Sequence, residues 1–207
     1  MRYGTSVYSR FFSAGMDPSV PEPLVEMPVE LVRRTTPLPA REPLWRRGES
    51  WAAWEDGTDL LCCSGFQTPG FARLGCRVAR DLSRAELALD SATAGEEPDV
   101  FKSPLHYPLD QVLAWGLLSQ IGGALVHAAV AMKNGVGWLF AGRSGAGKST
   151  LSNLCHGAGW RILNDDRAMV FRRKGEWKVA GTPWHGSGCF AEAEEALLGG
   201  ISFLNQA

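Results

Sequence analysis

The spacing of apolar and polar residues in the first half of the chain predicts short strands separated by turns. Between Leu44 and about Asp90, brief apolar runs alternate with turn-forming residues. Trp-Ala-Ala-Trp and Asp-Leu-Leu-Cys-Cys flank a turn at residues 55–57, which predicts a β-hairpin. Residues 71–79 predict a further strand, whereas residues 86–92 fit a helix or a strand equally well.

The pattern changes to a helical period and then to strands in the second half. Apolar residues recur at near-helical spacing over residues 109–121, and residues 125–132 and 136–141 read as strands joined by an Asn-Gly turn. The uncharged stretch 111–132 is long enough to span a bilayer. Its internal polar residues and the Gly122-Gly123 pair favour a helix that ends there and is followed by a buried strand.

Proline content and polarity divide the chain into two parts. Seven of the twelve prolines lie between Pro18 and Pro43, so this segment is predicted to be an extended lead-in or a surface wrap. Residues 94–107 are polar and interrupted by prolines, as is typical of a linker. We therefore expect a small β-rich accessory region with a proline-rich lead-in over residues 1–100, and a second domain over residues 101–207.

The composition is that of a globular protein and excludes several classes. Hydrophobic residues make up 45% and charged residues 21%, and the net charge of −1 provides no general basic field for nucleic acid. The five cysteines form no CxxC pair, which argues against a zinc site or a disulfide framework. With no apolar signal segment after the first residues, a reducing cytoplasm is the expected location, without a membrane.

The chemistry is carried by a glycine-rich loop that matches the pattern G-x-x-x-x-G-K-[ST]. Glycines in this pattern let successive backbone N–H groups point at phosphate oxygens, the lysine supplies a positive charge, and the serine hydroxyl can ligate Mg²⁺. An apolar run precedes the loop and a helical pattern follows it, as a phosphate-binding loop requires. The residues expected to bind the nucleotide are Gly142, Arg143, Ser144, Gly145, Ala146, Gly147, Lys148, Ser149 and Thr150.

A second candidate feature is the sequence Asn164-Asp165-Asp166, which ends an apolar strand fifteen residues after the loop. A carboxylate at a strand end beside such a loop can hold Mg²⁺ or accept a proton from an attacking hydroxyl. Asn and Asp also favour plain hairpin turns. The nearby loop favours the functional interpretation, although the residues alone do not divide the roles between the two aspartates.

The second half of the chain resembles the HPr kinase/phosphorylase-like proteins, whose nucleotide domain is akin to that of phosphoenolpyruvate carboxykinase. The resemblance rests on VHAAVAMKNGVGWLFAGRSGAGKSTLSNLCHGAGWRILNDDRAMVF and on GTPWHG, in the order that the family shows, and covers roughly residues 107–207. It implies an α/β fold, with a P-loop nucleotide-binding domain of this type preceded by a small β-rich region. The family continues past the position that matches residue 207, which implies a C-terminally incomplete domain.

The resemblance also implies roles for individual residues. Carried over by position, Lys148 and Ser149 contact the phosphates and Mg²⁺, Asp165 is the general base, Asp166 lies near the metal, and His127 lies near the phosphates. A histidine on an apolar strand is also common as a core residue, so His127 alone leaves both interpretations open. The GTPWHG block is expected to line the site, with a purely structural turn as the alternative.

The function implied by the resemblance is that of an ATP- and Mg²⁺-dependent kinase. Its partners would be the nucleotide and a serine-type hydroxyl on a protein, a peptide or a small molecule. Because relatives assemble through this domain, a homo-oligomer is compatible with the resemblance. The alternative is a non-catalytic ATP-binding regulatory module, which uses the same loop without transferring phosphate.

Overall fold

A computed structural model of the chain describes residues 27–48, 50–67, 70–90 and 108–205. These residues fall into two compact units, of which the first contains residues 27–116 and the second residues 117–205. The division falls inside a helix, between Gly116 and Leu117. The expected boundary near residue 100 and the expected linker at residues 94–107 lie outside the described residues.

The first unit is a mostly antiparallel sheet with the strand order β1-β7-β6-β5-β4-β3, in which β2 pairs with β6 and β1 runs parallel to β7. Its strands are β1 (Val29–Arg33), β2 (Thr36–Pro37), β3 (Trp45–Arg47), β4 (Trp51–Asp56), β5 (Asp59–Gln67), β6 (Phe71–Ala79) and β7 (Ala85–Leu89). Helix α1 (Leu109–Gln120) follows and crosses the division between the units.

Both faces of this sheet carry apolar side chains. Successive side chains on a strand point to opposite faces, and here successive residues are apolar. On β5, Leu60 and Cys62 pack with Leu109 and Leu113 of α1, whereas Leu61 and Cys63 pack in a cluster around Trp54. The alternation therefore places apolar side chains on both faces of the sheet, and α1 covers one of them.

Three cysteines of the first unit are buried side chains with no disulfide partner: Cys62, Cys63 and Cys76. Burial disfavours the thiolate, so the pKa of the Cys62 thiol is raised to about 11 and those of Cys63 and Cys76 to about 12. These thiols act as small hydrophobic side chains at neutral pH.

The second unit is a closed ring of five strands. Its elements are β8 (Ala124–Lys133), β9 (Val136–Ala141), α2 (Lys148–Gly157), β10 (Arg161–Asn164), β11 (Arg167–Arg173), β12 (Glu176–Ala180) and β13 (Glu195–Phe203). The strands of the ring pair in the cyclic order β8-β11-β12-β13-β9 and back to β8, and β10 pairs with β8 outside the ring. Only the pairing of β13 with β9 is parallel in this ring. Small and branched side chains such as Ala128, Val130, Leu139 and Val179 fill the core.

Several expectations for individual elements are confirmed. The hairpin is β4–β5, although its turn is formed by Gly57 and Thr58 rather than by residues 55–57. Residues 71–79 form β6, and the ambiguous segment near residue 86 is strand β7. The stretch 111–132 divides as expected, because α1 ends before Gly122, whose φ of 66° ends the helix, and β8 follows.

The expected α/β fold of the HPr kinase and phosphoenolpyruvate carboxykinase type is wrong. Of the described residues, 51% lie in strands and 14% in two helices. The physical reason lies in the connections: β8–β9 and β11–β12 are joined by the two-residue turns Asn134-Gly135 and Lys174-Gly175, which can connect only antiparallel neighbours. The β8–β9 hairpin was expected from the sequence, but the later strands are joined without helices as well, so α2 is the one helix between the strands described in this unit.

Within the described ranges, no helix is long and apolar enough to cross a membrane. The helix in the uncharged stretch, α1, contains 12 residues, which is shorter than the roughly 20 that a bilayer core requires.

Candidate functional site

The glycine-rich loop, residues 142–149, connects β9 to helix α2 and is shaped by its glycines. Gly145 and Gly147 have φ values of 82° and 93°, a left-handed conformation that other residues adopt at a cost. Gly147 is the N-cap of α2, and no side chain among the described residues caps the first turn. The first N–H groups of α2 therefore face outward with the positive end of the helix dipole, which favours an anion.

Lys148 is a buried cation held by the loop itself. Its side chain is 7% exposed, and Nζ donates hydrogen bonds of 3.0 Å to the carbonyl oxygens of Gly142 and Arg143. No carboxylate among the described residues forms an ion pair with it. A buried ammonium without a counter-charge is costly, so the loop has a strong electrostatic preference for a negatively charged group.

Asn164 is the structural centre of the neighbouring segment, at the end of β10. The residue is fully buried; its Oδ1 accepts hydrogen bonds from the backbone N–H groups of Asp166 at 2.8 Å and Arg167 at 2.7 Å. Its Nδ2 donates to the carbonyl oxygen of Thr182 at 2.8 Å. Asn164 thus fixes the turn that follows β10 and ties it to the segment after β12, so the directions of both aspartates depend on it.

Asp165 is buried, with an exposure of 1%, and its carboxylate is held by backbone N–H groups. Oδ1 accepts a hydrogen bond of 2.7 Å from Gly186 N, and Oδ2 accepts one of 2.6 Å from Gly188 N. The hydroxyl of Ser149 also lies 3.4 Å from Oδ2 and donates to it. Asp165 therefore joins the start of α2 to residues 186–188.

Asp166 points to different partners from those of Asp165. Its Oδ1 lies 3.0 Å from His127 Nε2, and its Oδ2 pairs with the guanidinium of Arg167. The Asp166 side chain is 23% exposed and that of His127 is 48% exposed. The two neighbouring carboxylates therefore have separate surroundings: Asp165 faces the loop and the backbone, and Asp166 faces a histidine at the surface.

The segment 181–188, which contains the GTPWHG block, contacts the aspartates mainly through its backbone. Thr182 is fully buried and donates to Arg167 O at 2.5 Å, while Trp184 is buried as a packing residue. His185 is exposed, and its Nδ1 lies 3.0 Å from Gly186 O. The hydroxyl of Ser187 donates to Ser149 Oγ at 3.2 Å.

The structure gathers some of the predicted residues and leaves others apart. Ser149 meets Asp165 beside the loop, His127 meets Asp166, and the Lys148 ammonium contacts the loop carbonyls of Gly142 and Arg143. The side chains of Arg143, Ser144 and Thr150 are exposed. The sequence interpretation paired Ser149 with Asp166 as metal residues, whereas the hydroxyl of Ser149 contacts Asp165.

Sequence reasoning included Asn164, Thr182 and Gly186 only as members of wider blocks, without roles of their own, and it missed Gly188. The two glycines are needed because a Cβ atom would lie 2.9 Å from Asp165 Oδ2 at Gly186 and 2.7 Å from it at Gly188. The Gly-Ser-Gly sequence was a visible signal of close backbone approach. No sequence signal separates Asn164 from an ordinary turn residue.

A comparison with protein families covers this region. Residues 111–197 match the family described as ScmC, SynChlorMet cassette protein ScmC. The match is a little under half of the chain and contains the loop, both aspartates, His127 and Ser187. No curated protein matches the chain.

The resemblance to the HPr kinase/phosphorylase-like proteins is corrected by these findings. The family matched is ScmC, no match to the HPr kinase family is found, and the β-rich ring is not the fold that the resemblance implied. The assignment of the chain to the P-loop kinases as a fold and a family is wrong for the same reason, which leaves the chemistry of the loop to be argued from its own geometry. The resemblance rested on residues 126–171 and on the GTPWHG block. Loop motifs of this kind recur on unrelated folds.

Proposed function

We propose that the glycine-rich loop binds the phosphates of ATP together with Mg²⁺, and that the site transfers the terminal phosphoryl group to a hydroxyl. The observation that carries the proposal is the buried Lys148 ammonium beside the uncapped start of α2. A lysine and helix N–H groups converging on one point form an anion site of the kind that phosphates occupy.

The oxygen groups beside the loop fit a magnesium ion. Ser149 Oγ and the Asp165 carboxylate are hard oxygen donors in contact with each other, and Mg²⁺ prefers a few such ligands together with phosphate oxygens. Bound there, the ion would neutralise charge on the phosphates. Asp165 is already held by two backbone N–H groups, so its position is fixed before any ligand binds.

Asp166 and His127 are the groups best placed to accept the proton of an attacking hydroxyl. Asp165 is nearly inaccessible and committed to the backbone, whereas Asp166 and His127 are both accessible and lie 3.0 Å apart. A carboxylate that contacts a histidine can orient it and stabilise its positive charge after proton uptake. We therefore assign the metal side to Asp165 and the proton side to the Asp166–His127 pair.

The proposed acceptor is a hydroxyl compound, and a reducing compartment is the proposed setting. All five cysteines lie in the described residues and are free thiols, which supports a compartment of that kind. The second candidate function is nucleotide binding without transfer. It is favoured by the burial of Asp165, which removes one of the two aspartates from contact with an acceptor.

The binding part of the proposal is tested by calorimetric titration with a non-hydrolysable ATP analogue, with and without Mg²⁺. Lys148→Ala should weaken binding by about 10- to 100-fold, because a charged hydrogen bond contributes roughly 1.5–3 kcal/mol. Lys174→Ala removes an exposed lysine of the same unit and should bind as the unchanged protein does. Failure of the folded, unchanged protein to bind the analogue would refute the proposal.

The transfer part is tested by phosphate release from ATP, with water as the acceptor. Asp166→Asn should lower the rate by about 100-fold or more while leaving affinity for the ATP analogue unchanged, since general-base catalysis contributes roughly 10²–10⁴-fold. Asp81→Asn, at an exposed carboxylate of the first unit, is the matched control. Tight binding with no Mg²⁺-dependent release by the unchanged protein would favour the non-catalytic module.

A further inference from the structure

Side-chain oxygens from three separate segments meet beside the glycine-rich loop. Ser149 lies at the start of α2, Asp165 follows β10, and Ser187 lies in the turn between β12 and β13. Ser187 Oγ is 3.2 Å from Ser149 Oγ, which in turn is 3.4 Å from Asp165 Oδ2. These distances are long for O–H···O hydrogen bonds, whose usual length is about 2.7–2.8 Å. The oxygens are therefore neighbours that stabilise each other only weakly.

The spacing suits a shared cation better than it suits hydrogen bonds. Oxygens around octahedral Mg²⁺ lie at about 2.0–2.1 Å from the ion, so adjacent ligands are about 3 Å apart. The set consists of one carboxylate and two hydroxyls, all of them hard donors. Ser187 is exposed, which leaves room for the waters that Mg²⁺ keeps.

We propose that Ser187 Oγ is a third protein oxygen of a divalent-cation site, completing the pair formed by Ser149 and Asp165. This inference rests on the proposed function, because the cation is the one that accompanies the nucleotide phosphates. Ser187 contributes a ligand from outside the glycine-rich loop and couples the segment 181–188 to nucleotide binding.

The backbone around Ser187 is built to hold its side chain at this position. The residues on either side, Gly186 and Gly188, donate their N–H groups to the two oxygens of Asp165 at 2.7 and 2.6 Å. Close approach of the backbone requires glycine at both positions, since a Cβ atom would contact Asp165 Oδ2. Ser187 is thus the one position of this Gly-Ser-Gly turn that carries a side chain, and that side chain reaches Ser149.

The test is binding of Mn²⁺, a spectroscopic substitute for Mg²⁺, followed by electron paramagnetic resonance in the presence of a non-hydrolysable ATP analogue. Ser187→Ala should weaken Mn²⁺ binding to the protein–nucleotide complex by about 10-fold. Ser187→Thr keeps the hydroxyl and should restore affinity to within about 3-fold of the unchanged protein. Binding of the analogue without metal, measured in chelator, should be the same in all variants, which a structural defect at Ser187 would not allow.

Ser202→Ala, at an exposed serine of β13, is the matched control and should have no effect. Equal Mn²⁺ affinity of Ser187→Ala and the unchanged protein would overturn the role of Ser187 while leaving the nucleotide site intact. If the unchanged protein binds neither analogue nor Mn²⁺, this inference falls together with the proposed function. The two failures are therefore distinguishable in one set of titrations.

Discussion

Replacement of Asn164 by alanine should be among the most destabilising single changes in the second unit. The side chain forms hydrogen bonds of 2.7–2.8 Å with two backbone N–H groups and one backbone carbonyl, all of which lose this partner in Asn164→Ala. A buried polar group left without a partner costs about 1–3 kcal/mol. The two N–H groups belong to partly exposed residues that water can reach, which places each cost near its lower limit. The sum is a loss of roughly 3–4 kcal/mol in the free energy of unfolding.

The measurement is urea unfolding followed by circular dichroism and tryptophan fluorescence, with Asn153→Ala as the control. Asn153 is exposed on α2, and its replacement should change stability by less than about 0.5 kcal/mol. Asn164→Asp separates hydrogen bonding from volume, because it keeps the size of the side chain but turns a carboxylate oxygen toward the carbonyl of Thr182. It should be at least as destabilising as Asn164→Ala. If Asn164→Asp is tolerated, or if Asn164→Ala costs less than about 1 kcal/mol, the hydrogen-bond reasoning is wrong.

Two further changes probe close packing and burial. In thermal unfolding, Gly188→Ala should destabilise the protein by about 1–3 kcal/mol, because its Cβ atom would lie 2.7 Å from a buried carboxylate oxygen. The control is Gly157→Ala, at a helical glycine with open space around it, which should be neutral or slightly stabilising. Burial raises the pKa of each of the three buried cysteine thiols above the 9.0 of a free thiol. The contribution of these protonated thiols to the free energy of unfolding is therefore complete below pH 9. It is lost as the pH rises toward 12, by up to about 1.4 kcal/mol per pH unit for each thiol. The midpoint of urea unfolding should therefore fall between pH 8 and 10, and it should fall less when the three cysteines are replaced by alanine. An equal dependence of the midpoint on pH in both proteins would contradict the role of the buried thiols.

Local elements were predictable from the sequence because they depend on neighbouring residues. The Asn134-Gly135 turn follows from residues that tolerate positive φ, and the structure gives them φ values of 53° and 77°. The start of α2 follows in the same way from the glycines that precede Lys148. These features need no information about distant parts of the chain.

The sheet order could not be predicted in the same way, because strand pairing depends on residues far apart in sequence. The parallel pairing of Val136 with Leu197 closes the ring, and no local pattern marks either strand as its partner. The same distinction between local and distant residues applies to the candidate site. Lys148 and Ser149 were identifiable from one short motif, whereas the carboxylate clamp of Gly186 and Gly188 on Asp165 depends on a segment some twenty residues away.

The closure of the ring also has a kinetic consequence. β9 pairs with β13 about sixty residues later. The chain therefore loses the conformational entropy of a long loop before the contacts between these two strands stabilise it. The segment 181–188 lies between β12 and β13, and four residues after its end the backbone N–H of Glu192 donates to Leu163 O at 2.9 Å. The start of this segment is held independently, through the contacts of Thr182 with Asn164 and Arg167, so the docking of β13 is expected to complete the placement of the two glycine N–H groups on Asp165. An intermediate with β8–β12 formed but β13 undocked would have a preformed loop and α2 without a fully fixed carboxylate, so the metal-dependent part of nucleotide binding would appear in the last phase of refolding.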